Sequence, residues 1–204
     1  LESLPFPAAS FDAITSQFGY EYGDTELGSV EVSRVLKPGA RLCFLSHHRN
    51  GPILAHNLPR RNALRWALAP GGYLEKARAL AAARRAAPLP TPQAFRDAPA
   101  EGQRLFPGQS VAAEFLAAIL QTLELGRTRP PGEVLDVLKA LEEKAGNEIA
   151  RTESLSRAAL DPSQVASLVE QLRAAGIAIE ENEEVYERPN RPFAWLIKGV
   201  KKAA

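Results

Sequence analysis

Two adjacent histidines, His47 and His48, follow an apolar segment that runs from Arg41 to Ser46. Such a segment is typical of a buried strand, so we expect the pair to stand at a strand end. Neighbouring side chains of a strand point to opposite faces, and only one ring would then serve a given site as general base. The sequence leaves open which ring this is. A structural histidine bonded to a backbone group or a carboxylate is the alternative.

A second polar group, Ser16, Gln17 and Phe18, follows a strand predicted from Phe11 to Thr15. In open α/β sheets ligands bind beyond the carboxyl ends of the strands. We therefore expect these residues and the two histidines to line one crevice. The alternative is that Ser16 and Phe18 only cap and pack the strand end.

Tyr20, Glu21 and Tyr22 continue the chain beyond this strand. Loops beside ligand sites often carry functional side chains, and Glu21 is a candidate to receive a proton or to orient a substrate. A loop with two partly buried rings and a solvated acid is the alternative. The three histidines and the single Cys43 lack metal-ligand spacing, so we expect no metal site.

The elements that must position these residues are predicted from local patterns. Apolar residues at helical spacing (Leu27, Val30, Val35 and Leu36) indicate a helix from Asp24 to Leu36, which the sequence K-P-G at 37–39 would end. Near the carboxyl terminus, Asp161 and the apolar stripe Val165, Leu168, Val169 and Leu172 predict a helix that ends at Gly176. Strands at 176–186 and 193–197 then predict a hairpin.

Residues 50–160 show helical patterns and no strand signal. Helices are predicted near 60–68, 72–87, 110–125 and 133–158, with Ser110 as an N-cap. The segment 88–109 contains five prolines, which predicts a mobile loop.

Basic and aromatic residues of this helical region offer two further candidate surfaces. Six arginines form basic faces that could contact phosphates of a substrate or of RNA: Arg60, Arg61, Arg65, Arg78, Arg84 and Arg85. A solvated face is the simpler interpretation, because aromatic residues are not interleaved and acids are frequent. The aromatic residues Trp66, Tyr73, Phe95, Phe106 and Phe115 are candidates for a substrate pocket or for core packing.

The overall composition excludes few partners. Lysine and arginine number 25 against 24 acids in 204 residues, so the net charge of +1 gives no long-range field towards nucleic acid or membranes. No apolar run approaches the roughly 20 residues that span a bilayer. The lone cysteine and the lack of a signal-peptide pattern favour a cytoplasmic protein.

Three motifs in order resemble class I S-adenosylmethionine-dependent methyltransferases. They are L-P-F-P at 4–7, S-F-D at 10–12 and R-V-L-K-P-G at 34–39. In that family such segments surround the fourth and fifth strands. The carboxyl-terminal helix and hairpin resemble the last helix and the sixth and seventh strands, the seventh being antiparallel.

The resemblance implies an α/β, Rossmann-like methyltransferase fold with a large helical insertion. Residues 1–49 would hold strands four and five, 50–160 a helical insertion or lid, and 161–204 the last helix and the hairpin. The implied activity is methyl transfer from S-adenosylmethionine to a small-molecule acceptor by in-line displacement.

The resemblance also implies roles for individual residues. Leu1, Glu2 and Ser3 would lie near the adenine, and Ser16, Gln17 and Phe18 near the methionine part of the cofactor. Tyr20 and Tyr22 would contact the substrate, with Glu21, His47 and His48 as catalytic candidates.

The Gly-rich loop and the acidic residue of the family's first two strands have no counterpart in the sequence. We expect an N-terminal half upstream of Leu1, without which the strand at Phe11 would be an open apolar edge. A non-catalytic partner-binding or homodimer module built on helices 110–125 and 133–158 is the alternative. RNA methylation is a further one, although the sequence disfavours nucleic acid.

Overall fold

The computed structural model describes residues 2–203. It has an α/β structure that divides into two units: Leu1–Ala55 with Glu153–Ala204, and His56–Thr152. The strands are β1 Phe11–Gln17, β2 Leu36–His47, β3 Ile177–Arg188 and β4 Arg191–Lys201. The helices are α1 Thr25–Val35, α2 Pro52–Ala67, α3 Tyr73–Ala83, α4 Gln93–Leu105, α5 Val111–Leu125, α6 Pro131–Ala158 and α7 Pro162–Ala174, with a 3₁₀ turn at Tyr20–Tyr22.

The four strands form one mixed sheet in the order β1-β2-β4-β3. Strands β1 and β2 are parallel, and β4 is antiparallel to both β2 and β3. The predicted hairpin is confirmed, and Asn190 in its turn has φ +61°, a left-handed conformation that asparagine tolerates better than most residues. This topology places β1 at one edge of the sheet.

Helix α7 covers the sheet as its sequence pattern predicts. The four residues of its stripe are buried together with Leu42, Phe44, Ile177 and Ile197. The Asp161 side chain accepts a hydrogen bond from the Gln164 backbone N–H, and the Asp161 backbone N–H donates to the Gln164 side chain, which completes a capping box. Gly176 follows the helix at φ +90°, a backbone conformation that suits glycine.

Helix α1 uses a different face from the predicted one. Asp24 caps it by accepting from the N–H groups of Glu26 and Leu27, both at 3.0 Å. However, Leu27 and Val30 are 55% and 60% exposed. The buried face instead contains Gly28, Val32 and Val35, because the Tyr20 ring packs directly against Gly28. A Cβ added to Gly28 would lie 3.1 Å from the Tyr20 hydroxyl oxygen.

The helix before the K-P-G sequence at 37–39 ends close to the predicted residue, but the strand that follows begins earlier than the predicted Arg41. Helix α1 ends at Val35, and β2 begins at Leu36. Leu36 pairs with Phe11, and the register shifts before Arg41 pairs with Ala13. Gly39, at φ +77°, lies in this irregularity, so the K-P-G segment is absorbed into the strand.

The second unit consists of helices, one of which lies in the predicted proline loop. Helix α4 spans Gln93–Leu105 and contains Pro99, although a proline inside a helix costs about 3 kcal/mol. Phe95, Ala98 and Gly102 are buried, and a Cβ on Gly102 would lie 3.0 Å from the Ala113 nitrogen of α5. This close helix packing offsets the cost of Pro99. Ser110 precedes α5 but makes no side-chain cap.

Long apolar helices and metal clusters are both lacking in residues 2–203. None of the helices there is long and apolar enough to cross a membrane. Within the same residues, no group of three or more histidine, cysteine, aspartate or glutamate side chains is arranged to hold a metal ion.

Candidate active site

The carboxyl ends of β1 and β2 lie side by side because the two strands are parallel. Gln17 is level with Leu45, and the Phe18 N–H donates to the Leu45 carbonyl at 2.7 Å. Phe18 has φ +55°, an uncommon conformation for a residue with a Cβ that is often found at functional sites. It turns the chain out of the sheet, and the Phe18 ring packs on the His47 ring with centroids 4.5 Å apart.

Glu21 and His47 form a buried pair at this edge. The Glu21 Oε1 accepts from the His47 backbone N–H at 2.8 Å and lies 2.7 Å from the ring Nδ1. Their side chains are 0% and 10% exposed, respectively. An ionised carboxylate can only accept, so Nδ1 carries the hydrogen and donates a hydrogen bond to Oε1.

The ionisation of Glu21 depends on His47. Burial alone would raise the pKa of Glu21, but hydrogen bonds from the His47 ring and backbone hold the pKa below its ordinary value. Glu21 is therefore a carboxylate at neutral pH. Among the described residues, its second oxygen Oε2 has no hydrogen-bond partner.

Aromatic side chains enclose the His47 ring. Besides Phe18, Tyr22 meets it edge to face at 5.9 Å, and Phe193 packs on Phe18 at 5.6 Å. Tyr22 is 45% exposed, so the enclosure is open on one side. The pKa of Tyr22 is raised by partial burial and by the charge of Glu21. The arrangement surrounds the His47 ring with apolar walls.

His48 points away from this pair, as alternation along the strand predicts. Its Nδ1 accepts from the Asn50 N–H at 3.0 Å, and its Nε2 lies 3.5 Å from Glu184. The ring stacks on Trp195 at 4.8 Å. Nδ1 is thus held by the fold, whereas the buried Nε2 makes no hydrogen bond among the described residues. His47, and not His48, is the histidine that pairs with Glu21. Glu184 and Trp195 were not singled out by sequence reasoning.

Tyr20 and Ser16 take part in the local structure. Tyr20 is 2% exposed, donates from its hydroxyl to the Thr25 carbonyl at 3.1 Å and stacks on Phe44 at 4.2 Å. Burial raises the pKa of Tyr20 to about 12. The structure thus places this predicted substrate residue in the core, because its ring fills the space beside Gly28. Ser16 Oγ accepts from the Tyr20 N–H at 3.0 Å, which is the capping alternative for that serine.

The N-terminal segment is held by the arginine of the R-V-L-K-P-G motif. Arg34 donates to the Phe6 carbonyl at 2.9 Å and to Glu31. Glu31 also accepts from the Leu4 N–H at 2.6 Å. The Arg34 guanidinium and the Leu4 N–H lower the pKa of Glu31 to about 2. Sequence reasoning missed this clamp, although the motif contains its arginine.

The three residues predicted near the adenine precede this clamp. Leu1 lies outside the described residues. Glu2 accepts from the Asp24 N–H at 2.8 Å, which ties it to the start of α1. Ser3 and Gln17 are exposed, so their side chains stay accessible, and their cofactor roles remain predictions.

An apolar cavity of about 330 Å³ lies along β1. The residues that line it include Leu4, Phe6, Phe11, Ile14, Val32 and Phe44. It lies on the apolar side of an edge strand, where sheet proteins are usually covered.

Comparison with known proteins identifies the N-terminal segment. Residues 1–44 match the family model of the methyltransferase domain. A demethylmenaquinone methyltransferase of Deinococcus radiodurans is 51% identical over 43 residues, which are 21% of this chain and 18% of the relative. The uncharacterized methyltransferase YcgJ of Bacillus subtilis is 38% identical over 66 residues, 31% of this chain and 26% of the relative.

The matches therefore span only about a fifth to a quarter of the relatives' own length. The crystal structure of YcgJ aligns with all of this chain and 69% of its own, at 16% identity and a TM-score of 0.28, too low to support an argument from the fold. The resemblance to methyltransferases therefore rests on the sequence matches. The resemblance inferred from the motifs is confirmed over residues 1–44, which match the methyltransferase domain model.

Proposed function

We propose that this chain is part of an S-adenosylmethionine-dependent methyltransferase in which His47 removes the proton of a small-molecule acceptor. The observation that carries the proposal is the Glu21–His47 pair at the shared end of two parallel strands, 2.7 Å between Oε1 and Nδ1. The match of residues 1–44 to the methyltransferase domain supports the class of reaction.

The sheet topology supports a Rossmann-like arrangement. With β1 and β2 as the fourth and fifth strands, β4 takes the place of the antiparallel seventh strand between β2 and β3. The second unit, His56–Thr152, would correspond to most of the helical insertion. Ligands of open α/β sheets bind beyond the strand ends, where Gln17, Phe18 and His47 lie.

The residues present fit one side of a cofactor site. Gln17 is exposed at the end of β1, and the turn at Phe18 presents backbone and an aromatic ring. S-adenosylmethionine supplies an electrophilic methyl group when bound. Residues 2–203 contain neither a Gly-rich turn after a strand nor an acidic strand end of the Rossmann type. Residues of those two kinds would complete the cofactor site.

The chain's own residues would perform the proton transfer. Glu21 holds the His47 ring with Nδ1 protonated, and Nε2 accepts the acceptor's proton as the methyl group is transferred. Phe18 and Tyr22 exclude water from one side of the ring. A positioned base of this kind contributes about 10²–10⁴ in rate.

The acceptor is proposed to be a planar ring compound that stacks on Phe18 and Tyr22. The name of the Deinococcus relative designates demethylmenaquinone as its acceptor, and a ring of that kind has an aromatic face for these side chains. Other small acceptors would be ranked by their rate of methylation.

Calorimetric titration of the natural full-length protein with S-adenosylmethionine tests the proposal. Saturable binding, with methylation of a quinol-type acceptor, is expected. Absence of binding would refute the enzyme proposal. It would favour a partner or homodimer surface on α5 and α6, where Leu125 and Val137 are 56% and 47% exposed.

A further inference from the structure

The second unit contains a cavity of about 460 Å³ that is unusually rich in arginine. It is lined by Arg84, Arg85, Arg127 and Arg129, by residues 86–90 and by Gly126 and Pro131. No acidic side chain lines it. The cavity has the size of ordinary small-ligand sites, about 300–1,000 Å³. The positive charge of the cavity therefore favours an anionic ligand.

Arg84 forms a fixed wall of this cavity. Its Nε donates to the Leu89 carbonyl at 3.0 Å, and its two terminal nitrogens donate to the Leu123 carbonyl at 2.6 Å and to Thr91 Oγ1 at 3.0 Å. Arginine has five N–H donors, so Arg84 anchors the 86–90 segment and still keeps donors to spare. Burial lowers the pKa of Arg84, Glu124 raises it, and the neighbouring Arg127 lowers it further, yet arginine stays charged at neutral pH.

The other three arginines are exposed and weakly neutralised. Arg127 lies 3.6 Å from Glu124, and Arg129 lies 3.4 Å from Glu133, in pairs that are open to solvent. Such pairs contribute little and separate easily. Glu124 is also shared with Arg96 at 3.0 Å. The Arg85 side chain has no ion pair or hydrogen bond among residues 2–203, so the cavity keeps an excess of positive charge.

The chemistry of the lining indicates which anion would bind. Guanidinium groups match the geometry of phosphate oxygens, and several of them around one cavity suit a ligand with several negative charges. Helix α6, which begins at Pro131 and is 28 residues long, adds the positive end of its dipole. The arginines line a concave site and do not form a stripe that is interleaved with aromatic residues. This arrangement disfavours RNA as the ligand.

We infer that the cavity lined by Arg84, Arg85, Arg127 and Arg129 binds a small molecule that carries a diphosphate or triphosphate group. This binding does not involve Glu21 or His47. The inference and the proposed methyl transfer are independent, so failure of one would not refute the other.

Isothermal titration of the full chain with inorganic pyrophosphate tests the inference. Saturable binding with one site per chain is expected, weaker at higher salt. Sulfate, with fewer charges, should bind at least tenfold more weakly. Arg85→Gln and Arg127→Gln should each weaken pyrophosphate binding about tenfold, the factor expected for one charge-assisted hydrogen bond. Both residues are exposed, so the variants should keep the wild-type melting temperature.

Arg104→Gln is the matched control, because Arg104 is an exposed arginine of α4 that does not line the cavity. It should leave pyrophosphate binding unchanged. Lack of saturable pyrophosphate binding would overturn the inference, as would equal weakening by Arg104→Gln. Binding of single-stranded RNA that pyrophosphate does not displace would also overturn it, in favour of a nucleic-acid surface.

Discussion

Replacing Glu21 by alanine removes the acceptor of two buried hydrogen bonds, from the His47 backbone at 2.8 Å and from the His47 ring at 2.7 Å. Hydrogen bonds to a charged group contribute about 1.5–3 kcal/mol each. Because the His47 N–H would be left buried without a partner, we expect Glu21→Ala to lower the free energy of unfolding by about 3–5 kcal/mol. Glu21→Gln keeps one acceptor oxygen, and about half of that loss is expected.

The same pair predicts a pH dependence. The folded-state pKa of Glu21 is lowered, so its contribution is fully present above the unfolded value of about 4.3 and is lost as the pH falls through the folded pKa. The stability difference between wild type and Glu21→Gln should therefore be constant near neutral pH and shrink in acid. Urea denaturation at a series of pH values measures it.

The matched control is Glu180→Gln, since Glu180 is exposed on β3 and its side chain has no hydrogen bond or ion pair among residues 2–203. It should change stability by less than about 0.5 kcal/mol. A loss below about 1 kcal/mol for Glu21→Ala, or a difference between wild type and Glu21→Gln that does not change with pH, would refute the reasoning.

Three further outcomes are expected. His47→Gln should lower the methyl-transfer rate of the full-length protein about 10²–10⁴-fold at unchanged cofactor affinity, whereas a comparable loss in His48→Gln at unchanged melting temperature would contradict the assignment. Leu172→Ala should cost about 2–5 kcal/mol in urea denaturation, because Leu172 is 0% exposed. Gly102→Ala should cost about 1–3 kcal/mol, because its Cβ would meet the α5 backbone at 3.0 Å. Gly146→Ala, with nothing within 4 Å, should instead stabilise α6 by about 0.5–1 kcal/mol, and equal effects of the two glycine variants would contradict the packing argument.

Sequence patterns correctly predicted the elements that are stabilised by contacts within one short segment. Asp161 and the stripe of α7 were sufficient because a capping box and an apolar face at helical spacing lie within one short segment. The hairpin followed from two strands and a tight turn. The motifs up to Gly39 likewise identified the family segment, since order and spacing are properties of the sequence.

Tertiary contacts decided the remainder. Helix α4 was missed because the packing of Gly102 against α5 outweighs the local effect of Pro99. The prediction of which face of α1 is buried was wrong, because the Tyr20 ring, not the spacing of Leu27 and Val30, determines the buried side.

The sequence by itself determined that one of two adjacent histidines would face the strand-end crevice, because side chains alternate along a strand. Which one pairs with Glu21 was decided only by the fold. Glu21 lies 26 residues before His47, and the left-handed turn at Phe18 followed by the 3₁₀ turn at Tyr20–Tyr22 brings the two together. The pairing of two distant segments depends on burial and backbone geometry, and no pattern within either segment records it.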